Sequence, residues 1–215
     1  MYYKGDNCKK TGIIGGTFNP VHTGHLILAE NAYDSLGLSK VIFMPTGQSY
    51  LKDPTDILDG KLRLELINAS ISGNDHFLSS DYEIKKPGNT YTCETLAGLN
   101  SIYPDDELYF IIGEDSVYNI DIWKRPDLIF ENCVLVVAPR GHEPDDKLLK
   151  KISILEEKYQ ARICLLNTPD IDISSSMIRN RVACGQSIKY YVADGAEKLI
   201  KKYGYYRLSD SVNRN

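Results

Sequence analysis

The sequence predicts an α/β fold: a single doubly wound domain around a mainly parallel sheet. Three observations carry that expectation. Short β-branched or aromatic runs alternate with longer helical patterns along the chain. Several of the runs are apolar throughout, as strands covered by helices on both faces must be. No repeat, low-complexity tract or long linker interrupts the alternation.

The expected strands are 10–15 (KTGIIG), 40–44 (KVIFM), 77–81, 107–112 (ELYFII), 133–138 (CVLVVA) and 162–166 (RICLL). Between the first two, Leu26, Ala29, Tyr33 and Leu36 recur at spacings of 3, 4 and 3, the single apolar stripe of a helix over 24–36. Further helices are expected near 56–72, 91–102, 145–160, 175–183 and 191–203. The layout is Rossmann-like, with the domain over 1–206 and a loose polar tail over 207–215. Sheets of this kind bind ligands beyond the carboxyl ends of their strands, so the chemistry is sought in the loops that follow strands.

Composition narrows the classes. The 215 residues include 25 Lys and Arg against 29 Asp and Glu, a formal charge of −4, with 42% hydrophobic and 25% charged residues. That is a soluble globule. The longest apolar runs, LYFII at 108–112 and CVLVVA at 133–138, fall far short of the roughly 20 residues a membrane span needs. The opening MYYKGDNCKK has no apolar core for a secretory signal, and a cytoplasmic location is expected. Five scattered cysteines without a CxxC pair argue against a disulfide framework and a zinc site. The mild acidity argues against sequence-independent binding of nucleic acid, which needs a basic face.

The loop after the first strand reads GGTFNPVHTGH over 15–25. Gly15 and Gly16 remove side chains where the backbone turns and approaches a ligand. Thr17 offers a hydroxyl, the amides that follow, Phe18 first, can point into the same space, and Pro20 stiffens the loop. The helix starting near Gly24 aims its positive end at this region. His22 and His25, three apart, can share one side of that start. A tight turn with capping histidines is the bland reading of each piece. Strand, glycine turn, paired histidines and helix in this order suit a polyphosphate. No metal-site ligands accompany the histidines at suitable spacing.

Residues 173–179, ISSSMIR, place three serines before an apolar helical pattern, so that one of them is a natural N-cap. Ser175 and Ser176 add hydroxyls and amides at a second helix start, and Arg179 one turn later can grip phosphate bidentately. A serine-capped helix with a solvated arginine is the alternative for this segment read alone.

GGTFNPVHTGH resembles the GGTFDPxHxGH motif of the HxGH nucleotidyltransferases, within them the nicotinate-nucleotide adenylyltransferases, and ISSSMIR resembles their ISSTxIR motif. The resemblance runs from about residue 11 to 206. It implies adenylyl transfer from ATP to nicotinate mononucleotide in NAD biosynthesis, with Mg²⁺ carried by the ATP and no dedicated metal site. It implies further that His22 and His25 meet the ATP phosphates, His25 nearer the transferred group. Thr17, Ser175, Ser176 and Arg179 would hold the triphosphate. FIIGEDS at 110–116 resembles the family's IIGxD segment, in which Gly113 would admit the nucleotide and Asp115 contact ribose or help position the chemistry. NTYTCETL at 89–96 resembles SYTxDTL, bringing Thr92 to the pyridine ring, on which Trp123 would stack. Arg63, in KLRLEL, matches a recurrent arginine of the family, but a surface helix residue or a structural ion pair is the safer reading. In place of the usual PPHK the chain has SYLK at 49–52, keeping only Lys52, which would screen the incoming phosphate. Asn19 stands for a more frequent aspartate, Lys124 where an aromatic is often found, and Ala193 where proline is usual. The competing readings are a related transferase for nicotinamide mononucleotide or another phosphorylated acceptor, a fragment of a class I aminoacyl-tRNA synthetase, and a non-catalytic nucleotide-binding module. The sequence leaves the oligomeric state open.

Overall fold

A computed structural model describes residues 8–47, 57–141 and 143–207. Six strands form one parallel sheet: β1 (Lys9–Gly16), β2 (Lys40–Pro45), β3 (Phe77–Ser79), β4 (Asp106–Gly113), β5 (Val134–Ala138) and β6 (Ile163–Leu165). Their order across the sheet is β3-β2-β1-β4-β5-β6. The chain therefore winds one way from β1 and the other way from β4, and the carboxyl ends of these two neighbours flank the switch point.

Helices α1 (Thr23–Leu36), α2 (Gly60–Ile71), α7 (Ser175–Ala183) and α8 (Asp194–Tyr203) cover one face. Helices α3 (Thr92–Ile102), α4 (Glu114–Asn119), α5 (Pro126–Asn132) and α6 (Asp146–Tyr159) cover the other. The two-residue period of a strand sorts the side chains. Ile14, Phe43, Ile111 and Val136 enter the core beneath α1 and α2, while their neighbours Ile13, Ile42, Phe110 and Leu135 enter the opposite one. Each fully buried Ile or Phe contributes about 1.5–3 kcal/mol, which is why these strands read as unbroken apolar runs.

Local signals set several helix ends. Gly37, at φ 60°, caps α1 and donates its N–H to Tyr33 O. Asp145 accepts from Leu148 N–H at the start of α6, and Ser174 from Met177 N–H at the start of α7. Three expectations need correction. β3 stops at Ser79, because after the Ser80 N–H donates to Phe43 O the chain turns away from the sheet. The last helix begins at Asp194 rather than 191, since Lys189 and Val192 bridge to each other first. Helices α4 and α5, of 6 and 7 residues, were not expected, being too short to display a helical period.

Candidate active site

The loop that leaves β1 is shaped by packing. A Cβ on Gly15 would stand 3.3 Å from the Phe110 ring, and one on Gly16 3.2 Å from the Phe18 ring. These glycines thus make room for aromatic rings, and the left-handed turn falls instead on Phe18, at φ 48°. The Phe18 side chain is core, standing edge-on to the His25 ring at 5.0 Å, so only its main chain is available to a ligand.

Donors from distant segments hold the carbonyls of this loop. Arg63 Nη1 donates to Thr17 O and Nη2 to Thr46 O, both at 2.7 Å, and Nε to Leu58 O at 2.9 Å. Arg179 Nη1 donates to Asn19 O at 2.9 Å, and Ser175 Oγ to Pro20 O at 2.8 Å. In a trans peptide the N–H opposes the C=O, so the Phe18 and Val21 N–H groups point away from Arg63 and Ser175. Arg63 is 3% exposed. It is not a surface residue and, among the described residues, not half of an ion pair, but a buried tie that fixes the loop to the ends of β2 and α2. Burial draws its pKa below the usual arginine value.

The two histidines follow. His22 precedes α1 in extended backbone, and its N–H donates to His25 Nδ1 at 3.2 Å. The rings stack with centroids 3.6 Å apart. His22 is 7% exposed, its Nδ1 has no partner among the described residues, and burial lowers its pKa to about 4. Burial, reinforced by His22, lowers His25 well below the usual value. Gly24 is explained here, because a Cβ there would stand 3.1 Å from His22 Nδ1. The Gly24 N–H has no acceptor among the described residues. Thr23, by contrast, is strapped down: its N–H donates to Tyr191 O at 2.9 Å and its hydroxyl to Tyr190 O at 2.8 Å.

His22, Gly24 and His25 open onto a cavity of about 180 Å³, closed by Ala138, Arg140 and Thr168 from the loops after β5 and β6. Arg140 was missed from the sequence, though a cation at the carboxyl end of an apolar strand, in the APR of 138–140, was a usable signal. Its guanidinium pairs with Asp115 and its N–H donates to Glu114 Oε2 at 2.7 Å. Asp115 lies in the first turn of α4, whose N-cap is Gly113. A Cβ on Gly113 would meet nothing within 4 Å. Its φ of −79° requires no glycine either. The space beside it belongs to no protein atom.

At α7 the cap is Ser174. The Ser175 hydroxyl is used on Pro20 O, and the Ser176 hydroxyl lies 3.1 Å from that of Ser174. The other half of the expected site sits on the opposite face of the sheet. Trp123 is half-buried, T-shaped against Phe110 at 6.5 Å, and Phe110 touches the space above Gly15. Thr92 opens α3 beside Tyr91, and the buried Glu83 steadies that start by accepting from Thr90 at 2.9 Å and Thr95 at 2.7 Å. Lys124 donates to Glu94 at 2.7 Å and lies over the Tyr91 ring. Lys52 lies outside the described residues. The structure thus brings His22, His25, Ser175 and Arg179 to one loop, with Trp123 and Thr92 across the β1–β4 switch point from them.

A cytidylyltransferase-like family model matches residues 13–181. A relative from Lachnoclostridium phytofermentans, named "Probable nicotinate-nucleotide adenylyltransferase", is 43% identical over 92% of this chain and 99% of its own. One of the same name from Clostridium tetani is 39% identical over 93% of this chain and its entire length. The chain belongs to the nicotinate-nucleotide adenylyltransferases of the cytidylyltransferase-like family. A solved nicotinic acid mononucleotide adenylyltransferase of Plasmodium falciparum, complexed with NaAD, shares the fold with a TM-score of 0.76. It is 21% identical, over 92% of this chain and 97% of that one. Among the described residues no helix is long and apolar enough to cross a membrane.

Proposed function

We propose that this chain transfers the adenylyl group of ATP to nicotinate mononucleotide, giving nicotinate adenine dinucleotide and pyrophosphate. The observation that carries the reading is the meeting of two helix starts on one loop: α1 with His22 and His25, and α7 with Ser175 and Arg179 tied to Pro20 and Asn19. Relatives bearing the adenylyltransferase name over nearly the whole chain support it.

A phosphate monoester has its second pKa near 6, so the 5′-phosphate of the mononucleotide is anionic at neutral pH and needs no general base. One of its oxygens attacks the α-phosphorus of ATP in line. The new P–O bond forms as the α–β bridge breaks, and the electron pair leaves with pyrophosphate. Two anions must therefore be brought together and the departing charge supported. Positioning supplies up to roughly 7–11 kcal/mol in favourable cases, and fixed positive groups add to it.

In this reading His25 donates to the transferred phosphate from Nε2, because Nδ1 already accepts the His22 N–H. His22, Thr17, Arg179, Ser176 and the N–H groups of Gly24, Phe18 and Ser175 cradle the triphosphate. Gly15 and Gly16 line its path by their main chain. Gly113 leaves room for the nucleotide, and Asp115 and Arg140 flank it. Trp123 and Thr92 receive the pyridine ring, and Lys52, which lies outside the described residues, is the cation that the family motif assigns to the incoming phosphate. Magnesium arrives as part of the substrate, as the ATP complex. Imidazoles are poor ligands for that hard cation, and phosphate oxygens are good ones. Both substrates are small molecules of the cytoplasm, and that is where the chain would work.

Pyrophosphate release from ATP, with nicotinate mononucleotide and nicotinamide mononucleotide offered separately, tests the reading. Turnover with the acid is expected. Turnover with the amide alone would reassign the acceptor, and ATP binding without turnover would leave a binding module.

A further inference from the structure

The loop at residues 17–20 receives one tie from the far end of the described chain that the reaction does not account for. The Tyr206 hydroxyl donates to Asn19 Oδ1 at 3.0 Å, across 187 positions of sequence. The Leu58 N–H donates to the same atom at 3.2 Å. A backbone N–H can only donate, so the Asn19 atom facing both groups is its carbonyl oxygen. Asn19 is 4% exposed, and its main-chain carbonyl is the oxygen on which Arg179 Nη1 rests at 2.9 Å. One buried residue thus carries Tyr206 on its side chain and Arg179 on its backbone.

The chain goes to some trouble to bring Tyr206 there. After α8, Gly204 at φ 68° and Tyr206 at φ 66° reverse its direction. Few residues other than glycine adopt that region, and those that do are held by their surroundings. Burial keeps the Tyr206 phenol neutral and able to donate, against the opposing pull of Arg179 and Arg63.

We infer that Tyr206 is a positioning residue for Arg179: its hydroxyl orients Asn19, and the Asn19 carbonyl fixes the guanidinium at the triphosphate site. The inference rests on the adenylyl-transfer reading. A guanidinium serves a phosphate well only in a narrow range of orientations, so a small rotation of its anchor is felt in turnover. A tyrosine that only packed would need its ring and no hydroxyl.

The test compares Tyr206→Phe, Asn19→Ala, Asn19→Asp and the Tyr206→Phe/Asn19→Ala double variant. Turnover of ATP with nicotinate mononucleotide is measured together with calorimetric binding of inorganic tripolyphosphate. Tyr206→Phe is expected to lower kcat about tenfold, weaken tripolyphosphate binding, and leave KM for the mononucleotide unchanged. Asn19→Ala, which also strips the Leu58 N–H of its acceptor, should lose at least as much, and the double variant should lose no more than Asn19→Ala alone, because Tyr206 acts through Asn19. Asn19→Asp keeps the acceptor and should recover most of the loss. Wild-type kcat and tripolyphosphate affinity in Tyr206→Phe would overturn the inference, as would additive losses in the double variant. If Tyr206→Phe fails to fold, Asn19→Ala and Asn19→Asp decide the same question. An inactive wild-type protein would sink the adenylyl-transfer reading instead, while the tripolyphosphate measurements still report on the Tyr206–Asn19–Arg179 link.

Discussion

The His22 N–H donates to His25 Nδ1 at 3.2 Å while the two rings stack at 3.6 Å, and together these contacts settle the tautomer of His25. An Nδ1 that accepts carries no hydrogen, so Nε2 is the donor. A second proton would cost His25 that contact and leave a charge in a buried place.

In the proposed reaction His25 is therefore a neutral donor whose contribution grows as charge moves toward pyrophosphate. His25→Ala is expected to lower kcat about 100-fold with KM for ATP within about threefold. Steady-state pyrophosphate release checks both numbers. Equal losses in binding and turnover would make His25 a ground-state contact only.

Burial of the pair also sets a pH dependence. The folded-state pKa of His22, about 4, lies below the ordinary 6.5. Between those values the unfolded chain binds more protons than the folded one, so stability rises with pH. The contribution is complete above about pH 6.5 and is lost as pH falls toward 4. For His22 alone, going from pH 7 to pH 5 should cost about 2 kcal/mol. Urea midpoints across that range measure it, and His22→Asn should flatten the slope. Equal midpoints for the wild type at pH 7 and pH 5 would contradict the prediction.

Two glycines separate a fold requirement from a ligand requirement. Gly113→Ala adds a methyl group to open space, so stability should change by less than about 0.5 kcal/mol while KM for ATP rises several-fold. Gly24→Ala pushes a methyl group to within 3.1 Å of His22 Nδ1 and should lower kcat by displacing that ring. Thermal melts beside kinetics distinguish the two, and an unchanged KM in Gly113→Ala would remove the nucleotide from that surface.

Trp123→Ala should raise KM for the mononucleotide roughly tenfold, the size of one lost stacking interaction, and spare KM for ATP. Trp123→Phe should keep most of the affinity. If both constants stay at wild-type values in the alanine variant, the ring does not stack there.

Arg63 makes no contact with the cavity yet holds three carbonyls. Arg63→Leu leaves those oxygens without their donor and should destabilise the protein by about 3 kcal/mol. Chemical denaturation reads this directly, and a loss under about 1 kcal/mol would show that other donors or water replace the guanidinium.

Much of the site was legible because its signals are local. The glycine pair, HTGH and the three serines sit next to the strand and helices they serve, and Ser174 is a cap by the ordinary rule for helix starts. The reading faltered where a residue's meaning came from remote partners. Gly15 and Gly16 answer to the Phe110 and Phe18 rings. Arg63, at a helix position that looks solvent-facing, is buried by loops on either side of it. Arg140 faces the histidines only because β5 lies beside β4 in the sheet.

By itself the sequence determined the parallel α/β architecture and the order of the two motifs that meet at the candidate site. Strand period, helix stripe and cap chemistry all act between residues a few positions apart. Only the tertiary structure decided that residues 19, 58, 63, 179 and 206 converge and that both imidazoles are buried and held neutral. Those outcomes depend on burial and on hydrogen bonds between segments more than 100 positions apart. No local pattern encodes them, because their partners meet only after the sheet has assembled.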